Sequence, residues 1–160
     1  IDAGIARAAL EDAVWYAKNK ARPVIEAGVD RAARDPYVVH SIGEMSVLSH
    51  AAEAMVLRAG DAVEAAIGAF ESGSTSLDQR LIDATVAVAE AKSMATQASL
   101  QVSEMLYNVS GASATLSKYG YDRHWRNARA HTTHDPVSYK HKVIGDYLLG
   151  NADPPISTKF

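Results

Sequence analysis

One run of spacings constrains this chain more than any other. Leu81, Ala84, Val88, Ala91, Ala95, Ala98, Val102 and Met105 follow one another at intervals of three and four without a break. At 3.6 residues per turn they form one stripe along a single α-helix. A strand would need alternation at two, which this stretch lacks. The stripe is mostly small side chains, so neighbouring backbones can approach it closely. A chain built on such a helix must surround it with further helices.

The rest of the sequence supplies them. A first helix is predicted over about 2–21, with Ile5, Ala9, Ala13 and Tyr16 on one face. Arg22-Pro23 ends it, because the residue before a proline is pushed out of helical backbone. Residues 23–34 read as a loop. Asp35-Pro36 then has the form of an N-cap with proline at the first helical position. The second helix runs through Val38, Ile42, Met45, Ser49, Ala52 and Val56 to about 69, roughly 50 Å of helical rise. Gly43, Gly60 and Gly68 allow it to bend or to admit a neighbour. Residues 71–75 are a turn. Ser76 and Gln79 have capping-box spacing and open the third helix, which extends to about 109. Ser110-Gly111-Ala112-Ser113-Ala114 interrupts the period. Asp122 is placed to cap a short helix to about 130. Asp135-Pro136 repeats the Asp-Pro start for a last helix to Leu149, with Gly150 beyond its end and an irregular tail over 151–160. The predicted fold is all-α: an antiparallel four-helix bundle of three long helices and a shorter closing one, with a polar corner before the last helix.

Composition narrows the function. Sixteen Lys and Arg stand against 19 Asp and Glu, a net charge of -3. That gives no general pull toward nucleic acid or an anionic membrane. No apolar run approaches the ~20 residues that span a bilayer. There is no cysteine, so disulfides and thiolate metal sites are excluded, and a cytoplasmic location is expected. The chain opens at Ile1 with a pattern already resembling mid-helix, and reads as a piece of a longer protein.

The polar corner is where chemistry gathers. Residues 121–136 hold Arg123, Arg126, Arg129, His124, His131, His134, Trp125 and Asn127. So many donors and titratable rings suit an anionic or redox ligand. Structural readings stand beside that one. The three arginines, at i, i+3 spacing, are expected to pair with carboxylates of adjacent helices, and Trp125 is expected in the core. His131 and His134 lack a clear third ligand, so no metal is expected. From the residues alone, His134 reads first as an idle ring before a helix cap. Arg22 reads equally as a cation at a helix C-terminus. His40 and His50 are assigned packing or solvent roles, and Tyr139 and His141 a surface or interface role.

The string Arg123-His124-Trp125-Arg126-Asn127-Ala128-Arg129, followed by His131-Thr132-Thr133-His134-Asp135-Pro136, resembles the C-terminal signature of the flavin-dependent monooxygenase branch of the acyl-CoA dehydrogenase superfamily, of the dibenzothiophene monooxygenase and sulfur-acquisition type. Lys20-Ala21-Arg22-Pro23, Asp35-Pro36 and Ser110-Gly111-Ala112-Ser113-Ala114-Thr115 sit where that family has related segments, so the likeness covers essentially the whole chain.

The resemblance implies that residues 1–160 are the C-terminal helical domain of a larger flavoenzyme whose N-terminal helical and middle β-domains lie outside this sequence. It implies a reduced flavin, FMN with FAD as the alternative, delivered by a separate flavin reductase. A small-molecule substrate and self-association to a dimer or tetramer follow from the same likeness. His134 stands where acyl-CoA dehydrogenases place a catalytic glutamate, which marks it as the catalytic residue. Its imidazole can give or take a proton near neutrality. Arg22, Gly111, Ala112, Ser113 and His131 are implied as cofactor contacts. Relatives often carry Arg where this chain has Ser113, a departure that removes one positive charge from a phosphate site. A dehydrogenase-type FAD enzyme and a helical oligomerisation module are the competing readings.

Overall fold

The structure, a computed structural model, describes residues 1–157. Five helices carry the fold: α1 (Asp2–Asn19), α2 (Pro36–Glu71), α3 (Leu77–Ser110), α4 (Asp122–His134) and α5 (Val137–Leu148). Short 3₁₀ turns at Ile25–Ala27, Ala32–Arg34 and Ala112–Thr115 join them. No strand occurs among the described residues. The all-α bundle is as the periodicity predicted. Two short helices, α4 and α5, share the closing position.

α3 touches all four other helices. Ala91, Ala95, Ala98, Val102 and Met105 of its stripe are buried, as are Ala6, Ala9, Ala13 and Tyr16 of α1 and Met45 and Ala52 of α2. α1 runs antiparallel to α2. Val14 and Ala17 lie in a groove with Val38 and Ile42, Arg7 reaches Glu53 at 3.8 Å, and Ile1 shares a groove with Val56.

α1 therefore covers only the first half of α2. Met45, Ser49 and Ala52 are buried. The same stripe continues at spacings of three and four through Val56, Ala59, Val63, Ile67 and Phe70; Ala59 is buried, but the other four are 45%, 38%, 51% and 73% exposed. Val88, opposite on α3, is also exposed. Periodicity predicts a stripe, but the reach of the covering helix decides how much of it is core.

The helix ends follow local chemistry. Asp35 Oδ1 accepts the Tyr37 N–H at 2.8 Å, so the predicted N-cap of α2 holds. Gly73 and Gly150 have φ of 62° and 71° and close α2 and α5 with paired bonds: Ser74 N–H to Ala69 O at 2.9 Å, and Asn151 N–H to Asp146 O at 2.9 Å. A left-handed residue just past the helix makes both bonds possible.

Several expectations are corrected. Ser76 makes no side-chain cap bond. Its φ, ψ of -87°, 3° is not the extended backbone that aims a capping oxygen, and the Gln79 amide donates to Asp83 and to Tyr147 on α5 instead. Asp135 does not cap α5. Its carboxylate lies 3.1 Å from the buried Lys140 Nζ, and α4 runs one turn further than predicted, to His134. Trp125 is 45% exposed rather than in the core, because Ala128, His124 and Thr132 take the buried face of α4. A side chain at Gly43, Gly60 or Gly68 would meet nothing within 4 Å, so no helix of this chain uses them for close approach. The predicted tail is irregular over 151–157, and positions 158–160 lie outside the described residues.

Candidate functional site

Two carboxylates of α1 fasten the polar corner. On α4, Arg123 Nη2 donates to Asp12 Oδ2 at 2.6 Å, and the same oxygen lies 2.7 Å from His124 Nε2. At the other end of α4, His131 Nδ1 lies 2.9 Å from Asp2 Oδ1. The order of these pairs makes α1 and α4 antiparallel. Arg126 pairs within its own helix, with Asp122 at 2.9 Å. The expected pairing to an adjacent helix thus holds for Arg123 alone.

The far end of α1 meets an aromatic group. The Tyr16 ring packs edge-on to Tyr119 and Tyr121, with centroids 5.2 and 6.0 Å away. Tyr119 and Tyr121 stack at 5.5 Å. Burial raises the Tyr16 phenol above its ordinary value, and the neighbouring Tyr119 adds to this, while a hydrogen bond with Ser113 works in the opposite direction. That contact sets the 111–113 turn beside the end of α1, three residues short of Arg22. Gly111 has φ 67° and ψ -174°, a region that side-chain-bearing residues avoid.

The sequence-predicted residues therefore form two groups. Arg22, Gly111, Ala112 and Ser113 are exposed at one end of α1. His131 and the exposed His134 are at the other. From Asp2 to Tyr16 the helical rise alone separates them by about 20 Å. Arg22 makes no ion pair among the described residues. Its guanidinium and the Ser113 hydroxyl are donors suited to a phosphate, while the Gly111 N–H is taken up by Tyr107 O at 2.8 Å. The Ser110 hydroxyl beside them is buried without a partner.

Besides the groove between α1 and the start of α2, open grooves cross the surface elsewhere. One, about 650 Å³, lies between the uncovered half of α2 and the start of α3, lined by Val63, Ile67, Phe70, Leu81 and Val88. A second, about 450 Å³, runs between α3 and α5 past Met94, Thr96, Val137 and His141. A third, about 280 Å³, is lined by Asp2 and His131 together with Lys92, Val56, Ala59 and Ala95. No group of three or more metal-ligating side chains is arranged to hold an ion among the described residues. No helix there is long and apolar enough to cross a membrane.

Sequence reasoning missed Asp2, Asp12, Tyr16 as a loop support, and Lys92. Asp2 carried a signal: it stands on the stripe of Ala6, Ala9, Ala13 and Tyr16, where a carboxylate needs a partner.

Residues 1–139 match the acyl-CoA dehydrogenase C-terminal domain family. The chain belongs to that family. Over 151 residues, 94% of the chain, it is 42% identical to a dibenzothiophene monooxygenase of Mycolicibacterium goodii, of which it covers 36%. It is 34% identical over the same length to SfnC of Pseudomonas putida, described as a probable FMNH2-dependent monooxygenase, covering 38% of it. The crystal structure of FMN-bound TdsC from Paenibacillus sp. A11-2 superposes with a TM-score of 0.88 at 37% identity, over 99% of this chain and 39% of that one. This C-terminal domain thus spans a little over a third of the length of the relatives it matches, and its bundle is theirs.

Proposed function

We propose that residues 1–160 form the C-terminal helical domain of a flavin-dependent monooxygenase. It uses reduced FMN delivered by a separate flavin reductase and inserts oxygen into a small sulfur-, nitrogen- or aromatic-type substrate. The observation that carries this reading is an imidazole, His134, exposed on the last turn of α4 in a chain similar along nearly its whole length to such monooxygenases. A carboxylate there would serve a dehydrogenase base; His134 instead holds or gives a proton near neutral pH.

Bound reduced flavin supplies the electrons that activate O₂. The chain's own residues bind and move protons. Arg22 and the 111–113 turn hold the phosphate, and His134 serves the reacting end. Their separation along α1 suits an arrangement in which the two groups serve flavins of different subunits. Self-association to a dimer or tetramer supports this, with the exposed stripe of α2 as its apolar surface. The absence of cysteine suits a cytoplasmic enzyme.

The deciding experiment anaerobically titrates reduced FMN into the full-length protein, then admits O₂ in the presence of an aromatic thioether such as dibenzothiophene. Sulfoxide formation is expected. No reduced-FMN binding, with acyl-thioester-dependent reduction of FAD instead, would replace this reading with the dehydrogenase one. Sedimentation at about tens of micromolar, a range where weak interfaces fill, checks the self-association. Monomer alone would remove it.

A further inference from the structure

The two histidine–carboxylate pairs between α1 and α4 are built alike and finished differently. His124 is closed in. Its side chain is 5% exposed, and the Asp12 oxygen it meets is also held by Arg123. His131 is open on one edge. Its side chain is 38% exposed, while its partner Asp2 is 3% exposed. Nothing but His131 is bonded to the Asp2 side chain in the described structure. Both residues line the groove that Lys92, Val56, Ala59 and Ala95 complete.

An ionised carboxylate can only accept a hydrogen bond. His131 Nδ1 must then be the protonated nitrogen, and Nε2 of the neutral ring carries the free lone pair. A buried carboxylate that fixes the tautomer and orientation of a half-open imidazole is the arrangement used for proton transfer in general acid–base sites. A purely structural pair would be expected to look like His124 and Asp12, with no free edge.

Resting on the monooxygenase reading above, we propose that His131 is a second proton-exchanging group of this site, acting at Nε2, and that Asp2 is its positioning residue. A proton taken up at Nε2 gives a doubly protonated ring beside the Asp2 carboxylate. Its release to the groove or to solvent restores the neutral ring, and no electrons move. Lys92, which has no ion partner among the described residues, faces the same groove and favours an anionic group there. His134, one turn on and exposed, then works beside an oriented imidazole.

Two measurements on the full-length protein test this. In the wild type, ¹⁵N spectra of histidine-labelled protein are expected to show His131 protonated at Nδ1 with Nε2 bare. A ring protonated at Nε2 alone would overturn the proposal, whether or not any variant folds. In the second, Asp2→Ala is expected to lower coupled product formation about 100-fold, the lower range for one acid–base group. Formate, filling the vacated carboxylate position, is expected to restore about tenfold of that loss, and Asp2→Glu to retain most of the activity. An undiminished rate in Asp2→Ala, or a loss that neither formate nor Asp2→Glu relieves, would show that Asp2 only packs. If the wild type fails to oxygenate with reduced FMN, the monooxygenase reading falls, and the ring tautomer still decides the dyad.

Discussion

Asp12 on α1 and His124 on α4 meet at 2.7 Å, joining residues 112 positions apart in a pair that is buried on the histidine side. The same carboxylate anchors Arg123, so one oxygen ties the start of α4 to the middle of α1.

Removing that carboxylate leaves the buried His124 imidazole without its acceptor, while Arg123 keeps its bonds to the Tyr119 and Gly120 carbonyls. Asp12→Ala is expected to destabilise the protein by about 1–3 kcal/mol, the cost of a buried polar group left unsatisfied. Chemical denaturation measures it. A double-mutant cycle with His124→Ala should show coupling, and additive losses would mean that the 2.7 Å contact contributes nothing of its own.

Stability should fall at alkaline pH. Burial holds the phenols of Tyr16, Tyr107 and Tyr121 above their ordinary value of 10.0. Below pH 10 both folded and unfolded chains keep these protons, and the contribution is fully present. Above it the unfolded chain releases them first, binds fewer protons than the folded one, and gains on it as pH rises. Thermal unfolding between pH 8 and 11 should show Tm dropping above about pH 10. Tyr16→Phe should flatten that drop, and an unchanged slope would clear Tyr16 of the effect.

Two glycines should respond in opposite directions to alanine. Gly111 at φ 67° and ψ -174° occupies backbone that a Cβ strains, so Gly111→Ala should cost about 1–3 kcal/mol. Gly60 lies within α2, where an added Cβ meets nothing within 4 Å. Gly60→Ala should stabilise by about 0.4–1 kcal/mol by restricting the unfolded chain. Denaturation midpoints of the two variants decide. A loss at Gly60 would point to a partner packed against α2.

In the full-length protein, His134→Ala should reduce product formed per reduced FMN consumed by about 10²–10⁴-fold, with peroxide rising to account for the flavin oxidised. Flavin affinity should change little. Normal coupling in the variant would make His134 a bystander at the end of α4.

Much of the bundle was legible because helix periodicity and cap chemistry are local. The stripe from Leu81 to Met105, the Asp35 cap and the Gly150 closure each follow from neighbours within a few residues. The errors have traceable causes. Whether Val56 and Val88 are buried depends on where α1 lies, whether Trp125 is core depends on which face of α4 meets α1, and whether Ser76 caps depends on one ψ angle. The site was legible in kind, since histidines and arginines clustered in sequence also cluster in space. Its carboxylates were not. Asp2 and Asp12 lie more than a hundred residues from their partners, and only the Ala stripe around Asp2 hinted that a carboxylate there needed one.

The small residues of α3 also limit how this domain can change. At Ala95 and Ala98, 5% and 0% exposed, there is almost nothing left to trim. Nearly every replacement adds volume to a close-packed contact, and such additions typically cost about 1–3 kcal/mol. Larger residues can be accommodated there only when the facing helices give up volume at the same time. Substitutions along this seam should therefore arise as matched sets across α1, α2 and α3.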